Sequence, residues 1–329
     1  MDSRLVPENL NDLIIHKTIA RRLLNFDFNN ISNIIFYGKQ NNGKYLLSKL
    51  LINYLNNCNI FIQTSINTHD LKIGNNTVNI DFFSSPYHIE INLVEYGLYD
   101  KYIISDFLQE YLNYKNISGR TKIVILKNID RISKQAQNCL RGLVEKNSEI
   151  ALFICLSTSL SNIESTLKSR FLNMRVPVPT NSELNEYFDF VSNNILKLTK
   201  TKRKILIEKK SLYEINYTIS LFINHKKNLE LIDHTCIFKK IINKIAEPDI
   251  ISILKIRELC YNLLLINISM PKLLKYIVNY YINNKAISDN DKILILDFAS
   301  KVDSKMCNIE HDIICIEFFI LKVKKLLIK

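Results

Sequence analysis

No Cys-x-x-Cys pair occurs among the seven cysteines of this 329-residue chain, so neither a zinc ribbon nor a disulfide framework organises it. Scattered thiols suit a reducing compartment. Glycine is scarce, at six residues, which fits a chain that is helical over much of its length. The run of about 18 apolar residues that a membrane span requires is missing. The longest uncharged stretch, Leu50 to His69, is interrupted by Asn53, Asn56, Asn57 and Asn59. A secretory signal is not expected either, because Asp2, Arg4, Pro7 and Glu8 have no apolar core behind them. A basic tail is absent too. The net charge of +12 is spread along the chain, so any contact with a polyanion has to come from a folded surface.

What is present is a soluble composition, 47% hydrophobic and 23% charged, long enough for two or three domains. Up to Pro177 short apolar runs alternate with helical stretches. Asn33 to Tyr37, Lys122 to Leu126 and Ala151 to Leu156 are rich in Ile, Val and Phe and end at polar or glycine residues. Such runs are expected of buried parallel strands covered on both faces by helices, giving an α/β class with right-handed crossovers. After Pro177 and Pro179 these runs stop. A helical pattern with Leu184, Tyr187, Phe188 and Val191 on one face follows, and Lys200 to Lys204 is expected to be a solvated loop. Further helices reach the end, with Leu259, Leu263 and Leu264, then Leu273, Leu274, Ile277 and Val278, as their apolar positions. The expected domains are 1–177, 178–232 and 233–329.

Gly38-Lys39-Gln40-Asn41-Asn42-Gly43-Lys44-Tyr45 lies between the first strand and an apolar helix from Leu46 to Leu55. It fits the phosphate-loop pattern G-x-x-x-x-G-K in the right context. Backbone N–H groups of the loop, from Gly38 to Asn42 and Gly43, would cradle phosphates, with Lys44 on the β and γ oxygens. A bare turn with a chance lysine is the competing explanation, and the flanking strand and helix favour the phosphate loop. The next residue should be Ser or Thr, whose hydroxyl holds Mg²⁺; here it is Tyr45. The second strand should end in an acidic pair and instead offers Lys127 and Asn128. Lys127 repels a dication and Asn128 is too weak a base to help activate water, so no ATP hydrolysis is expected from the chain alone and no metal site is expected.

Asp130 to Arg141 with Glu145-Lys146, Lys168-Ser169-Arg170-Phe171, and Arg175-Val176-Pro177-Val178-Pro179 resemble the clamp-loader small subunits of replication factor C. Ser84-Ser85-Pro86-Tyr87-His88-Ile89-Glu90-Ile91 and Arg257 to Leu264 look like the terminal, non-hydrolysing subunit of that pentamer. The resemblance runs over most of the chain and is weakest between about residues 195 and 250. It implies an AAA+ P-loop module, a helical lid and an all-α collar that assembles with other replication factor C subunits into an open ring around primer-template DNA and a sliding clamp, away from membranes.

On that resemblance Arg170, with Ser169, is the arginine finger that completes a neighbouring subunit's ATP site, and Thr158 takes the polar sensor position. ATP or ADP would be held without hydrolysis, and Mg²⁺ would not be coordinated in the usual way. Lys101 and Lys134, at helix starts, and Arg141 would face DNA phosphates. The sequence departs from the family at Arg4 to Pro7, which replaces Lys-Tyr-Arg-Pro, at Phe171 in place of the cysteine of Ser-Arg-Cys, and at Asn216, near the position of a lid arginine. An autonomous ATP-driven DNA remodeller of this fold and a nucleotide-free scaffold in an alternative ring remain the other two functions to weigh. The richness in Asn and Ile reflects AT-rich coding DNA, as in a protist or a large DNA virus, which places the chain in the nucleus or in a viral factory of the host cytoplasm.

Overall fold

The computed structural model describes residues 3–27, 31–59, 64–74, 76–114, 121–208, 211–224, 234–247, 251–265, 270–284, 287–306 and 312–327. The chain divides into two compact units, residues 1–216 and 217–329. The domain boundary expected at 232 lies outside the described residues.

The first unit is built on a seven-stranded sheet: β1 (Ile34–Tyr37), β2 (Ser65–Ile73), β3 (Asn76–Ser84), β4 (His88–Asn92), β5 (Lys122–Lys127), β6 (Ala151–Ser157) and β7 (Leu172–Arg175). Their spatial order is β2-β3-β4-β5-β6-β1-β7. The pairings from β4 through β5, β6 and β1 to β7 are all parallel. The three apolar runs read from the sequence are β1, β5 and β6, and β1 and β6 sit side by side, Ile34 opposite Ile154 and Tyr37 opposite Ser157. Alternate residues feed opposite faces, as strand geometry demands. Ile34, Phe36, Ile123 and Ile125 pack on one side with Leu47, Leu50 and Leu51. Ile35, Val124, Leu126 and Phe153 pack on the other with Ala136, Leu140 and Leu143.

The sheet is larger than the apolar runs indicate. β2 and β3 form an antiparallel hairpin that extends the parallel set at one edge. Most of β2 is exposed, so the hairpin lacks the continuous apolar signature of a two-sided strand.

The helices of this unit are α1 (Lys17–Leu23), α2 (Lys44–Asn56), α3 (Asp100–Tyr102), α4 (Gln109–Asn113), α5 (Lys134–Lys146), α6 (Ser165–Lys168), α7 (Asn181–Asn194) and α8 (Lys200–Glu208), with α9 (Leu212–Asn224) crossing the division. α7 buries Leu184, Tyr187, Phe188 and Val191 and begins with a capping box between Thr180 and Glu183. Lys200 to Lys204 is not a loop: it opens α8, where Leu206 is buried and Arg203 pairs with Asp189 at 2.7 Å. Lys and Arg at these positions tolerate a helix well, and one buried face is enough to fix it.

The second unit is helical throughout its described residues, with α10 (His234–Ala246), α11 (Ile251–Leu265), α12 (Met270–Asn283), α13 (Asp289–Met306) and α14 (Asp312–Leu327) around one apolar core. Leu273, Leu274 and Ile277 enter that core as expected. In α11 the buried seam is Ile256, Cys260 and Leu263, while Leu264 is exposed. A spacing of three or four places Cys260, and not Leu264, on the inner face. Among the described residues no helix is long and apolar enough to cross a membrane.

Candidate functional site

β1 is flanked by β6 on one side and β7 on the other, so the chain winds away from it in opposite directions. The crevice at the carboxyl end of such a strand is where α/β sheets take ligands. The Gly38–Lys44 loop occupies that point. A Cβ on Gly38 would run into the Val176 carbonyl, and the residue has φ 144, so only glycine lets the loop leave the strand this way. Asn41 at φ 64 and Gly43 at φ 92 complete the turn into α2. Lys44 donates from Nζ to its own loop, to the Gly38 carbonyl at 2.5 Å and the Lys39 carbonyl at 2.8 Å. Burial lowers its pKa to about 8, against the opposing charge of Asp130.

Several buried polar atoms around this loop lack a hydrogen-bond partner among the described residues. They are both side-chain polar atoms of Asn42, Nδ1 of His16 and Oδ1 of Asp130. His16 Nε2 lies 3.0 Å from the Asn42 carbonyl, and burial lowers the His16 pKa. Buried polar groups are normally satisfied, and such a concentration beside the Gly38–Lys44 loop is what a polar ligand would complete.

A cavity of about 350 Å³ opens next to the loop, lined among others by Val6, Ile15, His16, Gly43, Leu46 and Asn216. That volume is at the lower end of the ~300–1,000 Å³ of small-ligand pockets. Arg4 to Pro7 also lines this cavity, although its sequence departs from the family pattern. Asn216 accepts a hydrogen bond from Tyr187 at 2.8 Å, so this wall of the cavity presents an amide and not a cation.

The carboxyl end of β5 holds the second half of the site. Asn128 is left-handed at φ 56 and donates to Asn92 Oδ1 at 3.0 Å. Two residues on, buried Asp130 accepts from the backbone N–H of Thr158 at 3.2 Å and from its hydroxyl. Thr158 follows β6 directly and is thus fixed beside the carboxylate that faces Lys44. The acidic pair is expected at the positions of Lys127 and Asn128; the carboxylate present is Asp130, which the sequence marks only as the start of the Asp130 to Arg141 stretch.

Tyr45, the residue after Lys44, reaches β4. Its hydroxyl donates to Glu90 Oε1 at 3.2 Å, and the ring lies 4.5 Å from Lys127 Nζ and 5.1 Å from Lys49 Nζ. Glu90 is wholly buried on β4 and also meets Lys49 at 3.0 Å, His88 at 2.9 Å and Lys127 at 2.9 Å. Ser85 lies 2.5 Å from His88 Nδ1, which leaves Nε2–H to donate to the carboxylate. Burial works against the Glu90 anion, but the His88 hydrogen bond and the charges of Lys127 and Lys49 hold its carboxyl well below the usual range. Burial, with Glu90 beside it, pushes the Tyr45 phenol far above its ordinary value. These donors do not fit Mg²⁺: a neutral phenol and an ammonium stand where a hydroxyl and a carboxylate would be needed. Among the described residues no group of three or more His, Cys, Asp or Glu could hold a metal.

A second region lies around α5. Asp100 is buried and ties two helix starts together. It accepts from the Ser133 backbone N–H at 2.7 Å, the Ser133 hydroxyl at 3.0 Å and the Lys101 N–H at 2.6 Å. Ser133 in turn caps α5 through Ala136 N at 3.1 Å. Lys101 and Lys134 therefore stand at neighbouring helix N-termini, where backbone N–H groups favour anions. Arg141 lies further along α5, half-buried, with no hydrogen-bond partner for Nε among the described residues. Gln137, buried in the same helix, donates to the Asn162 carbonyl at 3.0 Å and accepts from Glu164 N at 2.9 Å. It anchors the loop that enters α6. Ser169 follows α6 and donates to the Thr166 carbonyl at 2.9 Å. Arg170 projects from there, exposed, with Nε 2.9 Å from Glu145 at the end of α5.

The family model for the DNA polymerase III delta subunit matches residues 19–180. A replication factor C small subunit of Acanthamoeba polyphaga mimivirus is 27% identical over 95% of this chain and 87% of its own length. Replication factor C subunit 5 of Saccharomyces cerevisiae is 24% identical over 96% of each chain. Replication factor C subunit 3 of Arabidopsis thaliana is 26% identical over 56% of this chain and 55% of its own length.

Proposed function

We propose that this chain, a homologue of the replication factor C small subunits over most of its length, serves as a subunit of a sliding-clamp loader that holds nucleotide without hydrolysing it and lends Arg170 to the ATP site of a neighbouring AAA+ subunit. Its place of work is that of the DNA it helps replicate, a nucleus or a viral factory. The observation that carries the proposal is the mutual tie of Tyr45 and Lys127 through Glu90. The two positions that should serve a metal and an attacking water are committed to one another, while the edge bearing Ser169 and Arg170 stays exposed. Parts of a catalytic unit do not act singly, so Lys44 alone does not sustain turnover.

Support for nucleotide occupancy comes from the Gly38–Lys44 loop, the orphaned polar atoms of Asn42 and His16, and the adjoining cavity. Lys44 must carry its proton to meet a phosphate, and it keeps that proton below its pKa of about 8. The affinity for ADP is therefore expected to hold between pH 7 and 8 and to fall by up to ~10-fold per pH unit above that, since one bound proton is needed. Titrating fluorescent ADP from pH 7 to 9.5 checks this. A Lys44→Met variant should bind weakly with a flat profile, and an equally flat profile in the parent protein would rule out Lys44 as the phosphate ligand.

Lys101 and Lys134, at two helix starts joined by Asp100, are assigned to the DNA backbone, with Arg141 further along the same helix. Contacts of this kind are sequence-independent and weaken steeply with salt. The functional test is reconstitution with the partner AAA+ chains and the ring clamp from the same source. The isolated chain is expected to show no ATP turnover above background, and the complete complex to load the clamp on primed DNA in an ATP-dependent reaction. Sustained hydrolysis by the lone chain would favour an autonomous enzyme, and a complex that assembles but never engages the clamp would favour a scaffold.

A further inference from the structure

The cluster around Tyr45 is more than the loss of a metal site. Three ammonium groups stand at this end of the sheet: Lys44, which opens α2 and faces Asp130, and Lys49, further along α2, and Lys127, at the end of β5, which share Glu90. Glu90 and Asp130 are the carboxylates among them, so the assembly carries one formal positive charge before any ligand arrives. Its members are fixed rather than free to drift. Lys127 Nζ is held 2.9 Å from Glu90 Oε2 and lies over two rings, 4.5 Å from the centre of Tyr45 and 5.1 Å from that of Phe83. Lys49 Nζ is 3.0 Å from the other carboxylate oxygen, and the Tyr45 hydroxyl donates to that same oxygen. The Lys127 side chain keeps 24% of its surface accessible, whereas Glu90 has none. The anion is thus sealed inside while one cation stays partly open.

We infer that Lys127, positioned by Glu90 and the Tyr45 ring, supplies the positive charge that a divalent cation brings to a conventional phosphate loop, so that this site takes uncomplexed nucleoside diphosphate or triphosphate and gains nothing from Mg²⁺. The inference rests on the nucleotide-holding role proposed above and says which ionic form of the ligand the site selects. A fixed ammonium neutralises phosphate charge as a point cation does, but it cannot polarise a water for attack, because it offers no open coordination position. Binding and silence toward hydrolysis then have one structural origin. A dication brought in with the nucleotide would meet Lys127 and Lys49 as like charges, and Glu90, the carboxylate beside Tyr45, is already engaged by both.

The experiment is a titration of the full chain with fluorescent ADP in EDTA and again in millimolar Mg²⁺. The dissociation constant is expected to be unchanged or weaker with Mg²⁺. Tightening by more than threefold overturns the inference. No binding in either buffer instead overturns the nucleotide-holding role itself, so the two failures are distinct. In a Tyr45→Thr, Lys127→Asp double variant, which restores a hydroxyl and a carboxylate, binding should become at least ~10-fold tighter with Mg²⁺ than without, by the charge it then lacks. A folded double variant that remains indifferent to Mg²⁺ counts against Lys127 as the replacement charge. Should that variant fail to fold, the comparison on the parent protein decides alone.

Discussion

Arg170→Ala is expected to slow ATP hydrolysis by the assembled complex ~10³-fold or more, measured where the site next to this chain is the competent one, because an arginine supplied in trans is worth that much to phosphoryl transfer. Assembly should be unaffected. Arg170 has no buried role: its partner is Glu145, both side chains are about half exposed, and such surface pairs contribute little to stability. The backbone that presents it is fixed independently by Gln137 and by the turns of α6, so truncating the side chain leaves the edge in place. Lysine is not an adequate substitute, since one ammonium cannot reproduce the planar fork of donors; Arg170→Lys should recover only a small part of the rate. Single-turnover hydrolysis with clamp and primed DNA is the measurement. An undiminished rate in the alanine complex would remove Arg170 from the mechanism.

The other large effect is on stability. Glu90→Gln keeps the shape of the side chain and removes its charge, leaving Lys49 and Lys127 without their shared anion. Removing one partner from a buried ion cluster costs about 3–5 kcal/mol, which for a unit of this size lowers the melting temperature on the order of 10 °C. Because the folded state holds the Glu90 carboxyl well below its usual range, its contribution is fully present above the ordinary carboxylate pKa and is lost as the pH falls through the folded value. The glutamine variant should therefore show a flatter loss of stability on the acid side. Adding Lys49→Met and Lys127→Met to it should restore much of the loss, a coupling that a mutant cycle over the three positions isolates. A Glu90→Gln protein within 1 kcal/mol of the parent would mean that the cluster holds nothing together.

The strands β1, β5 and β6 were legible because they are buried on both faces and so read as unbroken apolar runs. The same physics made the β2–β3 hairpin and β4 illegible. β2 is mostly exposed, and β4 carries His88 and Glu90 on one face and Ile89 and Ile91 on the other, a mixture that no hydrophobic period distinguishes from a loop. Lys200 to Lys204 looked like a loop because charge density was its only visible property, while a single buried leucine one turn later fixed the helix. Leu264 counts as an apolar position in the sequence yet is exposed, while Cys260 is buried, because residue type is visible in a sequence and the rotation of a helix is not.

By itself, then, the sequence determined that a loop of the pattern G-x-x-x-x-G-K follows a buried strand, that Tyr45, Lys127 and Asn128 stand where that pattern usually brings a small hydroxyl and an acidic pair, and that Arg170 follows a short helix. These are facts of residue type and local spacing. Only the tertiary structure decided what the replacements do. Glu90 comes from a strand some forty residues from either partner; it meets Lys127 because β4 and β5 run in parallel register, Glu90 opposite Ile125 and Asn92 opposite Lys127, and it meets Tyr45 from the start of α2. Asp130 reaches Thr158 because β5 and β6 end side by side, Leu126 opposite Cys155. Parallel pairing joins residues across long crossovers that leave no local signature, so a charge network assembled that way is written in the register of the sheet and nowhere in the order of the chain.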